Sequence, residues 1–129
     1  MSTTPEKPTV KPLEWVGSSR ADLKRFPEPV RKEVGHALHL VQAGETPHQA
    51  KPLRGFGGRG VLELVEHHDG NTYRAVYTVR FLEAVYVLHT FQKKSKKGIA
   101  TPKQDIDLIK RRLRTAAEQY QLQYGSTER

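Results

Sequence analysis

The 129-residue sequence contains no cysteine, one methionine and one tryptophan, and it has no long hydrophobic run. The absence of cysteine excludes a disulfide framework and any zinc site with thiolate ligands. No apolar stretch reaches the roughly 20 residues that a membrane-spanning helix needs, and none is typical of a signal peptide. We therefore expect a cytoplasmic protein that does not use a membrane as a partner.

Acidic side chains are scarce relative to basic ones. The chain has 14 Asp and Glu against 22 Lys and Arg, and its formal net charge is +8. Residues 92–114 alone hold nine Lys or Arg and two Asp, a net charge of +7. Such a concentration of positive charge is typical of proteins that bind nucleic acid, although a solvated helix face beside a basic loop produces the same pattern.

The length predicts one small domain. Residues 1–12 hold three prolines and few apolar side chains, so we expect a flexible leader there. A single domain is then expected over residues 13–124, with a short tail over residues 125–129.

The first part of this domain predicts a short edge strand and two helices. The strand covers Leu13 to Val16, a first helical turn follows Ser18 or Ser19, and a second helix begins near Glu28 between two prolines. Apolar residues of the second helix recur at helical spacing up to Gly44 and predict one buried stripe: Val30, Val34, Ala37, Leu38 and Val41.

A glycine-rich loop and three strands come next. The loop, residues 51–60, carries three cations but lacks the spacing of a phosphate-binding P-loop. Strands are predicted at residues 61–67, 72–80 and 84–91, joined by a tight turn at residues 69–71 and a looser one at residues 80–83. Alternation places Arg74 on one face of the sheet, on a rigid element.

Three histidines of these strands bear on chemistry. His67 and His68 are adjacent on a strand, where side chains point to opposite faces, so we expect an exposed pair near a turn rather than a metal site. His89 alternates with Val85 and Val87, which favours a core or edge histidine over a general base. We predict no metal and no cofactor.

The last segment predicts a long helix. Thr101-Pro-Lys-Gln104 has a capping-box pattern with proline at the first helical position. Ile106, Ile109, Leu113 and Tyr120 keep helical spacing. The order of elements predicts an α+β domain, a small twisted, mainly antiparallel sheet with the N-terminal helices and the C-terminal helix on one face.

Cations are the candidates for a functional site. They are Lys51, Arg54 and Arg59 on the loop, Arg74 on the middle strand, and Lys93, Lys94, Lys96 and Lys97 after the last strand. Guanidinium groups bind phosphate oxygens bidentately and ammonium groups act as point charges, so the set could hold one phosphodiester if a short, curved sheet brings it together. Passive binding and stabilisation of a phosphorane-like transition state both remain open. We expect Glu63 and Glu66 to hold the arginines.

Five segments resemble a known family. They are Trp15-Val-Gly-Ser-Ser, Ala50-Lys-Pro-Leu-Arg-Gly-Phe, His67-His-Asp-Gly-Asn-Thr-Tyr-Arg74, Val85-Tyr-Val-Leu-His-Thr-Phe-Gln-Lys-Lys-Ser-Lys97 and Gly98-Ile-Ala-Thr-Pro-Lys103. Their order and spacing over residues 11–117 are similar to the phage-derived, HigB-like branch of the RelE/ParE toxin superfamily. The resemblance implies the RelE-like microbial RNase fold and a type II toxin. Such a toxin is an mRNA interferase, a metal-independent endoribonuclease that inhibits translation by cutting mRNA in the ribosomal A site through 2′-hydroxyl attack.

The resemblance also implies partners and site residues. The partners are a cognate antitoxin, usually a helix-turn-helix protein, together with mRNA and the ribosome. Carried across, the working groups fall on Lys51 and Arg54, on Arg74, and on Lys93 or Lys94. Together with the charge pattern, this gives catalytic roles to Arg74, Lys94 and Lys93 and RNA-binding roles to Lys51, Arg54, Arg59, Lys96 and Lys97. The pattern does not identify a general base. The alternatives are a ParE-like inhibitor of DNA gyrase and a non-catalytic nucleic-acid-binding module.

Overall fold

The computed structural model describes residues 10–57, 60–93 and 100–125. The elements are β1 (Leu13–Trp15), α1 (Ser19–Lys24), α2 (Glu28–Gln42), β2 (Ala50–Pro52), β3 (Val61–His68), β4 (Asn71–Thr78), β5 (Val85–Lys93) and α3 (Lys103–Tyr124). The strands form one sheet in the order β1-β5-β4-β3-β2, in which only β1 runs parallel to its neighbour. The predicted α+β class is confirmed. None of the described helices is long and apolar enough to cross a membrane.

The β3-β4 hairpin follows from its turn. Asp69 and Gly70 have positive φ angles of 50° and 79°, the combination that a two-residue turn between right-twisted strands requires. His68 therefore pairs with Asn71, and His67 pairs with Thr72. The predicted tight turn is confirmed, and it sets the register of every pair along the two strands.

Helices α1 and α2 cover one face of the sheet. The predicted stripe of α2 is buried from Val30 to Val41, in a core shared with Tyr73, Ala75 and Tyr77 of β4. These three residues alternate along the strand, so a single face presents them all. The prediction of the α2 stripe is confirmed.

Helix α3 covers the opposite face. Ile109 and Ala116 are fully buried in a second core that contains Val76 of β4 and Tyr86 and Leu88 of β5. The expectation that all helices pack on one face is wrong. The central strands carry apolar side chains on both faces, so each face must be covered.

A bulge between β4 and β5 changes which residues share a face. Tyr77 pairs with Val87 while the preceding Val76 pairs with His89, so Leu88 is the extra residue. Beyond the bulge, His89 lies on the α3 face with Val76. The predicted alternation of His89 with Val87 is therefore wrong, because an inserted residue inverts the alternation that follows it.

Arg112 of α3 holds the bulge in place. Its Nη1 donates to the carbonyl of Leu88 at 2.9 Å, and its Nη2 donates to Ser18 Oγ at 3.1 Å. Gly17 lies beside this guanidinium with φ +59°, and a Cβ on Gly17 would come within 2.8 Å of it. Glycine is thus required here both by the backbone conformation and by the close approach of Arg112.

The start of α3 differs from the capping-box prediction. The helix begins at Lys103 with Pro102 in the N-cap position, and no side chain caps it. The hydroxyl of Thr101 instead donates to Glu63 Oε2 at 2.8 Å. A charged acceptor on β3 competes successfully for the hydroxyl, since hydrogen bonds to ionised groups are the stronger ones.

Candidate functional site

A cleft of about 730 Å³ opens on the α3 face of the sheet, between β2, β3, β4 and the segment that leads into α3. Its charged and polar lining residues are Lys51, Arg54, Glu63, His67, Arg74 and Thr101. A second, shallower concavity on the outer surface of α3 is lined by Ala117, Glu118, Gln121 and Leu122 and contains none of the predicted site residues. The cleft, which we call the basic cleft, is therefore the candidate site.

Two exposed cations stand at one wall of the basic cleft. Lys51 lies on the edge strand β2 opposite Glu63, and not in a loop as predicted. Residues paired directly across an antiparallel ladder share a face, so the Lys51 side chain is on the α3 face. Arg54 follows in the turn after β2 and is also exposed. The missed strand is short and ends at Pro52, which an edge position tolerates.

Arg74 lies in the wall of the basic cleft. Its Nη1 donates to Glu63 Oε2 at 2.9 Å, and only 8% of Arg74 and 3% of Glu63 are exposed. The same carboxylate oxygen accepts the hydrogen bond from Thr101. The expectation that Glu63 holds an arginine is confirmed. For Glu66 the structure shows a different contact, in which the carboxylate accepts from Gln49 Nε2 at 3.0 Å.

Lys93 stands beside the basic cleft. It is the last residue of β5 and pairs with Thr72, two residues along β4 from Arg74. Its Nζ lies 3.4 Å from the carbonyl oxygen of Ala100, which lines the cleft. The structure therefore brings Lys51, Arg54 and Arg74 to one cleft and places Lys93 next to it. The other predicted cations, Arg59, Lys94, Lys96 and Lys97, lie outside the described residues.

The functional candidate missed by the sequence reasoning is His67. Its exposed imidazole lines the basic cleft, and its Nδ1 lies 3.2 Å from Thr72 Oγ1. The signal was the hairpin register, because a two-residue turn at residues 69–70 pairs His67 with Thr72 and so places it on the same face as Arg74. Among the residues that the structure describes, no group of three or more His, Asp or Glu could hold a metal ion.

His89 is a core histidine, as predicted. It is 7% exposed, its Nε2 lies 2.8 Å from Asp105 Oδ1, and its ring stacks on Phe91 with centroids 4.5 Å apart. Burial lowers the pKa of His89 and outweighs the nearby Asp105 carboxylate, which acts in the opposite direction. The contact is therefore a hydrogen bond from a neutral imidazole to Asp105, and it ties β5 to the first turn of α3.

Residues 21–114 match the family model described as Phage derived protein Gp49-like (DUF891), which is more than two thirds of the chain. The protein belongs to this Gp49-like family. The matched region contains Lys51, Arg54, His67, Arg74 and Lys93, and thus every described cation of the candidate site. The phage-derived part of the sequence resemblance is confirmed, while the HigB-like branch stays a prediction.

No curated protein sequence matches this Gp49-like chain. A similar solved structure is the crystal structure of the toxin-antitoxin complex RelBE2 from Mycobacterium tuberculosis. The likeness has 19% sequence identity and a TM-score of 0.47, and it covers 64% of this chain and 98% of that chain.

Proposed function

We propose that this Gp49-like protein is the toxin of a type II toxin-antitoxin system and acts as a ribosome-dependent mRNA endoribonuclease. The observation that carries the proposal is the basic cleft, where Lys51 and Arg54 stand exposed beside Arg74. Exposed cations around one concave site suit a phosphodiester chain, since contacts to phosphate dominate affinity for nucleic acid. The motifs shared with RelE/ParE toxins supply the reaction class.

Each cation has a role in the proposed reaction. Lys51 and Arg54 bind backbone phosphates and hold the RNA strand in the basic cleft. Arg74, kept in place by Glu63 at 2.9 Å, supplies fixed positive charge beside the scissile phosphate and stabilises the phosphorane-like transition state. Lys93 adds charge at the end of β5, and Lys94 follows it in the chain. The products are a 2′,3′-cyclic phosphate and a free 5′-hydroxyl.

An antitoxin is the proposed protein partner. A toxin that cuts mRNA must be kept inactive in the cell, and the positive cleft is the surface that an acidic segment of the antitoxin would neutralise. The resemblance to RelE/ParE toxins suggests a helix-turn-helix protein for this role.

The test is an in-cell cleavage map. The wild type and the double variant Lys51→Gln/Arg54→Gln are expressed from an inducible promoter, and mRNA 5′ ends are mapped with translation running and with initiation blocked. Both side chains are exposed, so their removal leaves the fold intact. We expect in-frame cuts that require initiation and that fall about tenfold or more in the variant, since each charged hydrogen bond contributes about 1.5 to 3 kcal/mol.

Lys32→Gln is the matched control. Lys32 is exposed on α2, on the other side of the sheet, where it pairs with Glu28 at 3.5 Å. The Lys32→Gln variant should cut mRNA at the wild-type sites and to the same extent. Normal translation without cuts, at confirmed protein levels, refutes the proposal. Growth arrest without cuts points to gyrase inhibition of the ParE kind, which a supercoiling assay with purified gyrase would detect.

One observation favours a second candidate, a non-catalytic nucleic-acid-binding module. Arg74 is 8% exposed and its charge is matched by Glu63, so it offers little surface to a phosphate. Such a module binds RNA in a salt-dependent manner and cuts nothing on the ribosome. In both candidates, losing Lys51 and Arg54 reduces the magnitude of the negative slope of log affinity against log salt by about 1.4, or about 0.7 for each contact to single-stranded RNA. Cleavage separates the two.

A further inference from the structure

His67 is placed where a reacting group of the ribose would lie. It pairs with Thr72 across the hairpin, and Arg74 is two residues farther along β4. His67 and Arg74 are therefore diagonal neighbours on one face, a pair typically separated by about 7 to 8 Å or slightly less. That span accommodates one ribose 2′-hydroxyl and its adjacent phosphate between the imidazole and the guanidinium.

The hydrogen bond to Thr72 orients the His67 ring. Thr72 is buried in β4, and its Oγ1 lies 3.2 Å from His67 Nδ1. In the neutral tautomer whose Nδ1-H donates to this hydroxyl, the lone pair lies on Nε2. Nε2 has no hydrogen-bond partner among the described residues. An oriented neutral imidazole with an available nitrogen is the arrangement that a general base requires.

The neighbouring histidine differs in each of these respects. His68 does not line the basic cleft, and its Nε2 lies 3.6 Å from a carboxylate oxygen of Asp69 in the turn. Two adjacent imidazoles thus have different surroundings, and His68 provides a matched control for His67.

From this geometry we infer that His67 is the general base of the proposed endoribonuclease, an inference that rests on the proposed function. Its Nε2 takes the proton of the 2′-hydroxyl, and the 2′-oxygen forms a bond to phosphorus as the bond from phosphorus to the 5′-oxygen breaks. The 5′-oxygen leaves with the bonding pair and takes a proton from water. The imidazolium then gives its proton to the hydroxide that this water leaves, so protons and electron pairs balance without a metal, an oxidant or a reductant.

The experiment is single-turnover cleavage of mRNA on programmed ribosomes with the purified full chain. His67→Ala should cut about a hundredfold more slowly than the wild type, the usual effect of losing a positioned base, while it binds RNA unchanged. Added imidazole should restore part of the rate in His67→Ala and none in Lys51→Gln/Arg54→Gln. His68→Ala should cut like the wild type.

Thr72 tests the orientation of the ring. Thr72→Val removes the hydroxyl and should slow cleavage about tenfold, a loss equal to that of one hydrogen bond of about 1.4 kcal/mol. Thr72→Ser keeps the hydroxyl and should cut at nearly the wild-type rate. Thermal melting of each variant checks that the fold is kept.

Three outcomes overturn the inference. Cleavage by His67→Ala at the wild-type rate shows that His67 is not the base and leaves the proposed function standing. A slow His67→Ala that binds RNA weakly and gains nothing from imidazole makes His67 an RNA-binding residue only. A wild type that cuts nothing on the ribosome refutes the proposed function itself, and the assignment of a base with it.

Discussion

Replacing Arg74 with alanine would leave the Glu63 carboxylate buried without its cation. The two groups are 2.9 Å apart, with side chains 9% and 4% exposed. At an effective dielectric constant of about 20, two charges at this distance attract by about 6 kcal/mol, and part of this offsets the cost of removing both from water. Removal of one partner of such a pair costs about 3 to 5 kcal/mol. We therefore expect Arg74→Ala to lower the free energy of unfolding by that amount.

Urea unfolding followed by far-ultraviolet circular dichroism measures this loss. The double variant Glu63→Leu/Arg74→Met replaces the pair with apolar side chains and should recover most of the stability, since no uncompensated charge remains. Lys51→Ala, an exposed cation of the same cleft, should change the free energy of unfolding by less than about 0.5 kcal/mol. The single variants Glu63→Leu and Arg74→Met, taken with this double variant, complete the cycle that gives the coupling between Glu63 and Arg74.

Wild-type stability of Arg74→Ala would refute this reasoning. It would mean that the Glu63 carboxylate is solvated or protonated at little cost once Arg74 is gone, and that loss of RNA cleavage in this variant can be assigned to chemistry. If the predicted loss is found, Arg74→Ala is a poor probe of catalysis, because reduced folding and reduced chemistry lower activity together. The exposed Lys51 and Arg54 are then the better probes.

Three further predictions concern the fold. Leu38→Ala should lower the free energy of unfolding in urea by about 2 to 5 kcal/mol, because Leu38 is 1% exposed. Leu122→Ala should change it little, because Leu122 is 87% exposed. Equal effects would contradict the packing of α2. Burial lowers the pKa of His89 below 6.5, so the unfolded chain takes up its proton first and the free energy of unfolding should fall as the pH drops from about 6.5. His89→Gln should flatten that fall, and an unchanged pH dependence would argue against the burial of His89. Gly17→Ala should lower the stability by about 1 to 2 kcal/mol for the left-handed backbone alone, and by more because its Cβ clashes with Arg112. Gly44→Ala, with φ +92° and nothing within 4 Å, should show only the backbone effect. Equal losses in thermal melting would show that Arg112 moves aside freely.

The candidate site was predictable in its charges and less so in its geometry. Lys51, Arg54 and Arg74 were expected to share a site, and the structure places all three around one cleft. The burial of Arg74 against Glu63 was not evident from single residues, because Glu63 is held by both Arg74 and Thr101, which come from separate parts of the chain. His67 was assigned to an exposed turn pair, although the turn at residues 69–70 sets the register that pairs it with Thr72 and places it on the face of Arg74.

The sequence by itself determined what short-range physics controls. The α2 stripe follows from helical periodicity, the turn at Asp69 and Gly70 from the backbone freedom of those residues, and the basic surplus from composition. The tertiary structure alone decided which helix covers each face of the sheet, where the alternation is interrupted, and which hydroxyl or carboxylate meets which cation. The bulge at Leu88 inverts the face of His89, and Thr101 bonds to Glu63 38 residues away, because such contacts depend on how separate elements pack together.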